Sequence, residues 1–459
     1  GAGRAAGRPV NPAGELMAHV ISITDGTTTI TFTQANGYQV LAYDMVTPES
    51  SGGKLADDVA ETLEVIISGA DGAQVQSRIG ALSRLLDSAR RRTAWGVGPR
   101  VFLQLRVDGE PNTWRTELYD AAMTPQEDTL RLWPNFAPTF DISIRRAAVW
   151  EGALAQIPLT NVGGSANTSG LNVYLHDDTG RDNYVEIGAD GVGGNLPTPL
   201  HLQLTNNNGA TVQLARLYMG CNAFSYPANT PPTLQDAIIL ATGGSVLAGD
   251  SSCSNDGYVA HTFTNSAVQQ YTLSAALLRS ARGYDFHLLA RFRSLTGAAY
   301  VRPSIYDASG VYPLWTGEEV ELPLTGPSVA DLGVIPLPPG GYTTQAGALR
   351  LYLAWRTTGT ISVETDCFVL MPANTFRLLQ IQGPVAADAV VVDNGPEQRA
   401  YVRSGSTELP FVAPQGLPLL AWPGLVQRVY FMWNLLDGSA PVTQTLSVKA
   451  WHRPRRLSF

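Results

Sequence analysis

The chain has 459 residues and a formal net charge of −8, with 45 Gly, 30 Pro and a charged fraction of only 15%. It is too long for one hydrophobic core, and at roughly 150 residues per domain it divides into about three units. Gly and Pro favour short elements between turns, a hydrophobic share of 44% excludes wholesale disorder, and the acidic balance argues against a nucleic-acid coat, which needs a basic stripe.

Residues 1–16 are mostly Gly, Ala, Arg and Pro, without periodicity. They read as an extended arm held by a neighbouring subunit, or as a cloning remnant or an upstream start. VISITDGTTTITF at 20–32 predicts a β-hairpin about Asp25-Gly26, and a strand follows at 61–68. The spacing of Val75, Ile79, Leu82, Leu85 and Leu86 predicts a helix over 72–93. Its Arg90, Arg91 and Arg92 lie at the C-terminal end, which favours cations, so they read as a solvated cap and not as a phosphate site. Strands are expected at 100–107, 114–118 and 139–145, and the unit closes near Trp150.

From Ile157 the texture becomes turn-separated strands: LNVYLHDD, DNYVEI, PLHLQLTN and VQLARLYMG, spaced as in a sandwich. YPANTPP at 226–232 reads as a linker. Residues 236–371 then supply strands near 259–264, 270–275, 285–293, 301–306, 320–324, 348–355 and 360–370, enough for a complete second sandwich. The remaining strand patterns, FRLLQIQG, AADAVVV, QRAYVRSG, WPGLVQRVYFMW and TLSVKAW, are too few for a sandwich alone. One domain of residues 157–225 plus 373–459, interrupted by an inserted one, therefore fits best, because surface turns accept whole-domain insertions.

Two parts of the chain resemble a known family. The block 17–152, with its hairpin start, Arg-terminated helix, GVGPRVFLQL and exit RRAAVWEG, resembles the ring-forming N-terminal domain of distal tail proteins of siphophages. Asn195-Leu196-Pro197-Thr198-Pro199-Leu200 and Leu420-Ala421-Trp422-Pro423-Gly424 are similar to motifs of their galectin-like C-terminal domain. Residues 233–372 depart from the minimal family pattern and look like a carbohydrate-binding-module jelly roll. The resemblance implies a homo-oligomer, a hexameric ring joining tail tube to tail tip, in a virion assembled in the host cytoplasm. It carries over no catalytic residue.

The chemical constellations are sparse. His19, His176, His201, His261, His287 and His452 are scattered without HExxH or a close pair, so no metal or cofactor is expected. Cys221, Cys253 and Cys367 form no CxxC motif and are odd in number, which suits buried small hydrophobes. Of 31 basic residues only Lys54 and Lys449 are lysine; GC-rich coding accounts for this, with bidentate interface contacts as the alternative. GADGVGG at 188–194 lacks a following helix and reads as a plain loop. Asp177, Asp178, Asp182 and Asn183 fit an Asx-rich turn better than a calcium loop. Glu318, Glu319 and Glu321 are the acid-dense candidates for a glycosidase; alternation puts Glu319 and Glu321 on one face, which equally suits a charged strand edge. Tyr300, Tyr306, Tyr312, Trp315 and Trp355 are candidate glycan-contacting residues, with core packing as the alternative. No stretch of about 20 apolar residues would span a bilayer, and the first residues lack the apolar core of a signal peptide.

The expectation is a mainly β, multi-domain, non-enzymatic tail-tip protein. Its expected partners are tail-tube and tail-tip proteins and a host-surface polysaccharide, with neither nucleic acid nor membrane insertion. A repeating tube polymer and a particle-anchored glycan-cleaving enzyme are the alternatives.

Overall fold

The computed structural model describes residues 19–48, 50–51, 54–55, 57–126, 137–161, 164–176, 180–221, 234–236, 240–242, 244–273, 285–307, 309–322, 326–337, 349–441 and 443–457. The arm at 1–16, the linker at 226–232, and Asp177 and Asp178 lie outside them. The protein is mainly β and folds as two compact units, residues 19–153 with 454–457, and residues 154–453.

In the first unit one sheet runs in the order Thr29–Phe32, Val20–Thr24, Phe102–Arg106, Thr113–Pro125, Thr139–Ala147, Asp58–Ile67 and Tyr38–Asp44, all antiparallel. The two edge strands are consecutive in sequence, joined by the short turn Gln34–Asn36, so the sheet curls on itself. The helix Gly72–Trp95 buries Val75, Leu82, Leu85, Leu86 and Ala89, and the last four pack with Leu63, Val65, Leu103 and Ile142 in one core. Asp71 caps it by accepting from the Gln74 N–H at 2.8 Å, which satisfies an orphan first-turn donor. Gly96, at φ 67°, ends it by donating to the Arg92 carbonyl. Of the three arginines Arg92 caps the helix end, donating to the Gly96 and Gly98 carbonyls, while Arg91 pairs with Asp87 one turn back and Arg90 bonds to Asp120 and the Ala121 carbonyl of a neighbouring strand.

The end of the chain differs from the sequence reading, which gave it to the sandwich. Arg455–Arg456 pairs with Trp150–Glu151 in the first unit. Arg455 is bonded to Glu151 at 2.5 Å, and the Arg456 guanidinium lies 3.5 Å from the Trp114 ring. Charge and cation–π contact hold this segment, and neither leaves an apolar alternation in sequence.

The second unit contains three larger sheets. One orders Ala155–Ile157, Leu446–His452, His201–Asn206, Val390–Asn394, Arg399–Ser404 and Thr407–Leu409; a second orders Leu159–Thr160, Tyr184–Ile187, Gln427–Leu435, Leu214–Cys221, Phe376–Ile381 and Val412–Gln415. Both interleave strands from before residue 222 with strands from after residue 375. Arg377 and Asp393 join the two sheets through a buried bidentate pair at 2.7 and 3.1 Å. Thr198–Pro199 pairs with Leu420–Ala421, so the two short motifs singled out in sequence form one ladder.

The third sheet draws all its strands from residues 234–372. Its backbone is a long ribbon, Gly257–Leu273 against Leu349–Pro372, with a register shift between Thr264 and Ser266. Asn265 adopts φ 65° there, and the bulge bends the ribbon. Two layers result. Ala299–Tyr306 pairs with the 350–356 half of the ribbon and Asp285–Leu295 with its 363–372 half. Phe286, Phe292, Ile305, Leu351, Trp355 and Phe368 fill the space between. The 285–372 layer also turns Leu289, Val329, Val369 and Met371 into the core of the flanking sandwich, and His287 stacks on Phe376 at 3.6 Å.

Candidate functional site

The solvent-facing side of the Ala299–Tyr306 layer gathers the candidate aromatic residues. In this strand Ala299, Val301, Pro303 and Ile305 are buried, while Tyr300, Arg302 and Tyr306 are not. The neighbouring ribbon alternates likewise, burying Leu349, Leu351, Leu353 and Trp355 and presenting Arg350, Tyr352, Ala354 and Arg356 outward. Period-two geometry sets the two faces, and register places Tyr300 opposite Arg356 and Tyr306 opposite Arg350.

Tyr300 lies under the Arg356 guanidinium, 4.3 Å from its carbon. Arg356 in turn holds Glu319 in a bidentate pair at 2.9 and 2.6 Å. Tyr306 and Tyr352 meet with ring centroids 4.3 Å apart at 39°. The Tyr352 hydroxyl accepts from the Gln270 amide at 2.8 Å and donates to the Gly310 carbonyl at 3.2 Å, and Tyr312, which closes the adjoining loop through its carbonyl to the Asp307 N–H, is 68% exposed. Glu321 approaches the Tyr300 hydroxyl at 3.5 Å. Arg356 beside Glu319 holds that carboxyl below its usual range.

Of the five candidate aromatics, the structure brings Tyr300 and Tyr306 to this outer face, with Tyr312 beside it. Trp355 is a core residue, 2% exposed, with its indole N–H donating to Gln269 at 2.8 Å. Trp315 pairs with inward-facing Ile305 and packs against the same core. Tyr352, Arg302 and Arg356 were missed in sequence, although the alternation in LRLYLAWR carries the signal for Tyr352 and Arg356 and that at the start of AYVRPSIY for Arg302. The face combines aromatic surface with fixed donors and acceptors, which suits stacking on a pyranose and hydrogen bonding to its hydroxyls. Glu319, held below its usual range, does not suit the general-acid role, which requires a carboxyl held above it.

The remaining constellations have structural surroundings. Cys221, Cys253 and Cys367 are all buried and unbridged, and burial pushes the Cys253 thiol up to about 12. Residues 189–191 of the Gly-rich loop form one 3-10 turn. Among the described residues no cluster of three His, Cys, Asp or Glu side chains is arranged to hold a metal ion, and no helix is long and apolar enough to cross a membrane.

No protein-family model and no curated protein matches the chain. Among solved structures it is similar to the Dit (gp 19.1) protein of SPP1, described as a paradigm of the hub adsorption apparatus in phages infecting Gram-positive hosts. That similarity has 10% identity over 76% of this chain and 99% of that one, with a TM-score of 0.23. It is also similar to chains of the phage p2 baseplate in its activated conformation, with Sr (8% identity, 96% of this chain, 98% of that one, TM-score 0.27) and with Ca (8%, 96%, 100%, TM-score 0.28).

Proposed function

We propose that the chain is a non-enzymatic structural protein of a phage tail tip, of the distal-tail type. Residues 17–152 form a hexameric ring against tail-tube and tail-tip proteins. Residues 157–225 and 373–453 form a galectin-like support, and 233–372 present the outer aromatic face to a host-surface polysaccharide. The observation that carries this reading is the ladder between Thr198–Pro199 and Leu420–Ala421, because it unites the two motifs of the resemblance across the intervening module. The edge strand Tyr38–Asp44 supports assembly through the first unit. Its Leu41 sits at a register shift and is 46% exposed, followed by Met45 at 37% and Val46 at 41%, and an apolar strand edge is a pairing surface.

Electron micrographs and native mass of the purified protein test the assembly. Closed rings of six copies are expected, with Leu41→Asp shifting them to monomer at little cost in melting temperature. Long filaments would favour the tube reading, and a monomer at all concentrations would overturn both. For the outer face, Tyr306→Ala and Tyr352→Ala are expected to weaken cell or polysaccharide binding; unchanged binding in both removes this face from recognition.

A further inference from the structure

We propose that a cleft of about 540 Å³ on the sandwich of the second unit binds a carboxylated sugar residue, of the uronic-acid class, with Arg216 taking the carboxylate. The site lies on the flanking strands, apart from the aromatic face of the 299–356 layer, and nothing in the tail-tip reading requires it.

Three strands build it. Arg216 stands opposite Gln380 on one side and Asn434 on the other. Cross-strand partners lie about 5 Å apart and share a face, so the three side chains converge. One row further along, Tyr218, Leu378 and Met432 are buried, but at the row of Arg216 the face opens, where the strand shifts register between Leu214 and Arg216. Gln382, Leu435 and Leu436 complete the wall, and Leu436 is 73% exposed.

The donor and acceptor set defines the ligand. Arg216 is exposed, and no Asp or Glu lines the cleft among the described residues. Nearby Asp437 is turned to the Ser439 N–H and hydroxyl at 2.9 and 2.6 Å. A guanidinium without a carboxylate in its cleft is a bidentate receptor for one. Asn434 is only 6% exposed, and its Nδ2 donates to the Val329 carbonyl at 3.3 Å. That bond fixes Oδ1 as the acceptor, and Oδ1 has no hydrogen bond among the described residues. The buried Tyr218 hydroxyl lies near Arg216, Asn434 and the Asp331 carboxylate, and Asp331, outside the cleft lining, is engaged by His287 and the Gly333 N–H.

A buried acceptor left unfilled is costly, so the fitting ligand brings a donor as well as an anion. Sulfate or a fully ionised phosphomonoester group brings none. A hydroxy acid brings both, and the amides of Gln380 and Gln382 can each donate and accept toward neighbouring hydroxyls. Leu435 and Leu436 offer apolar surface to the C–H side of a ring. The volume falls within the ordinary range of roughly 300–1,000 Å³ for small-ligand sites.

The test is calorimetric titration of the full chain with an oligogalacturonide and with its carboxyl-reduced, neutral counterpart. The acidic form is expected to bind on the order of tenfold or more tightly than the neutral one, the ratio that one lost charge-assisted contact gives. Arg216→Gln should remove that preference at unchanged melting temperature, since Arg216 is exposed, and Gln380→Ala should weaken both forms. Equal binding of the two sugars, an acid preference that survives Arg216→Gln, or no binding of either at millimolar concentration overturns the proposal.

Discussion

Glu61 and Arg146 are both fully buried in the first unit and bonded to each other at 2.5 and 2.8 Å. The same carboxylate accepts from the Tyr43 hydroxyl at 2.5 Å and the Val46 N–H at 2.8 Å, and the guanidinium faces the Trp150 ring at 4.7 Å. Removing one partner of such a pair strands the other charge in the core and costs about 3–5 kcal/mol, whereas replacing both with apolar groups is often neutral. Glu61→Ala should therefore lower stability by about that amount in urea denaturation, and Glu61→Leu with Arg146→Met should recover most of it. A single variant within 1 kcal/mol of the parent, on the order of a surface pair, would refute the assignment. His452 in the second unit gives a pH effect of definite sign. It is 3% exposed, and burial lowers its pKa from 6.5 to about 4. The unfolded chain then binds more protons between those values, so stability is complete above about pH 6.5 and falls as pH drops toward 4. His452→Gln should flatten the part of the stability curve that His452 contributes in this window, read from melting temperatures at pH 4.5 and 7.5; an unchanged slope would show that other groups carry it.

At the scale of elements, the turn between the two edge strands of the first unit is the most demanding. Gly37 has φ 76° and donates to the Gln34 carbonyl, and a Cβ there would run into the Arg78 guanidinium, which donates to Ser68 O. The Tyr38 hydroxyl also donates to Arg78 O at 3.1 Å, so this turn fastens the sheet edge to the helix. Gly37→Ala adds a left-handed strain of roughly 1–3 kcal/mol to that clash and to a contact of 2.7 Å with the Ser68 carbonyl oxygen, and the unit should melt correspondingly earlier; a change under 0.5 kcal/mol, typical of a bland surface site, would mean that the turn relaxes away from both Arg78 and Ser68. The helix and first hairpin were legible because period and turn residues agree. The helix runs two residues past the expected 93 because Gly96 is its terminator. The hairpin turn is wider than Asp25-Gly26, with the Asp25 carboxylate accepting from the Thr27 and Thr28 N–H groups. The Tyr38–Asp44 strand escaped notice because the irregularity at Leu41 breaks its alternation. Trp355 was grouped with the outward aromatics by composition, while the phase of Leu349, Leu351 and Leu353 points it inward.

At the scale of the whole molecule, turn-separated strand patterns made the mainly β character legible, and counting them on each flank suggested shared sheets. Sequence did not reveal that the inserted strands lend Leu289, Val329, Val369 and Met371 to the neighbouring core, because a strand buried on both faces shows no alternation. Nor did it reveal the return of the chain's end to the first unit, where the attachment is electrostatic. Arg456 contacts Glu110 at 3.1 Å as well as Trp114. The Trp114 indole N–H donates to Glu110 at 2.8 Å, and that bond, then Arg456, holds the Glu110 carboxyl below its usual range. The arrangement is a chain of three groups that loses its closing member if the end is removed. A cation–π contact at a partly exposed site contributes about 0.5–2 kcal/mol, and exposed ion pairs less, so Arg456→Ala should lower the stability of the first unit by about 1 kcal/mol. Removal of residues 454–459 should cost more, because it also unpairs Trp150–Glu151. Hydrogen exchange separates the two effects. The truncation should speed exchange at the 150–152 amides, whereas Arg456→Ala should leave their ladder protected. If truncation leaves those amides as slow as in the full chain, the terminal strand is not what protects them, and the first unit is complete without the end of its own chain.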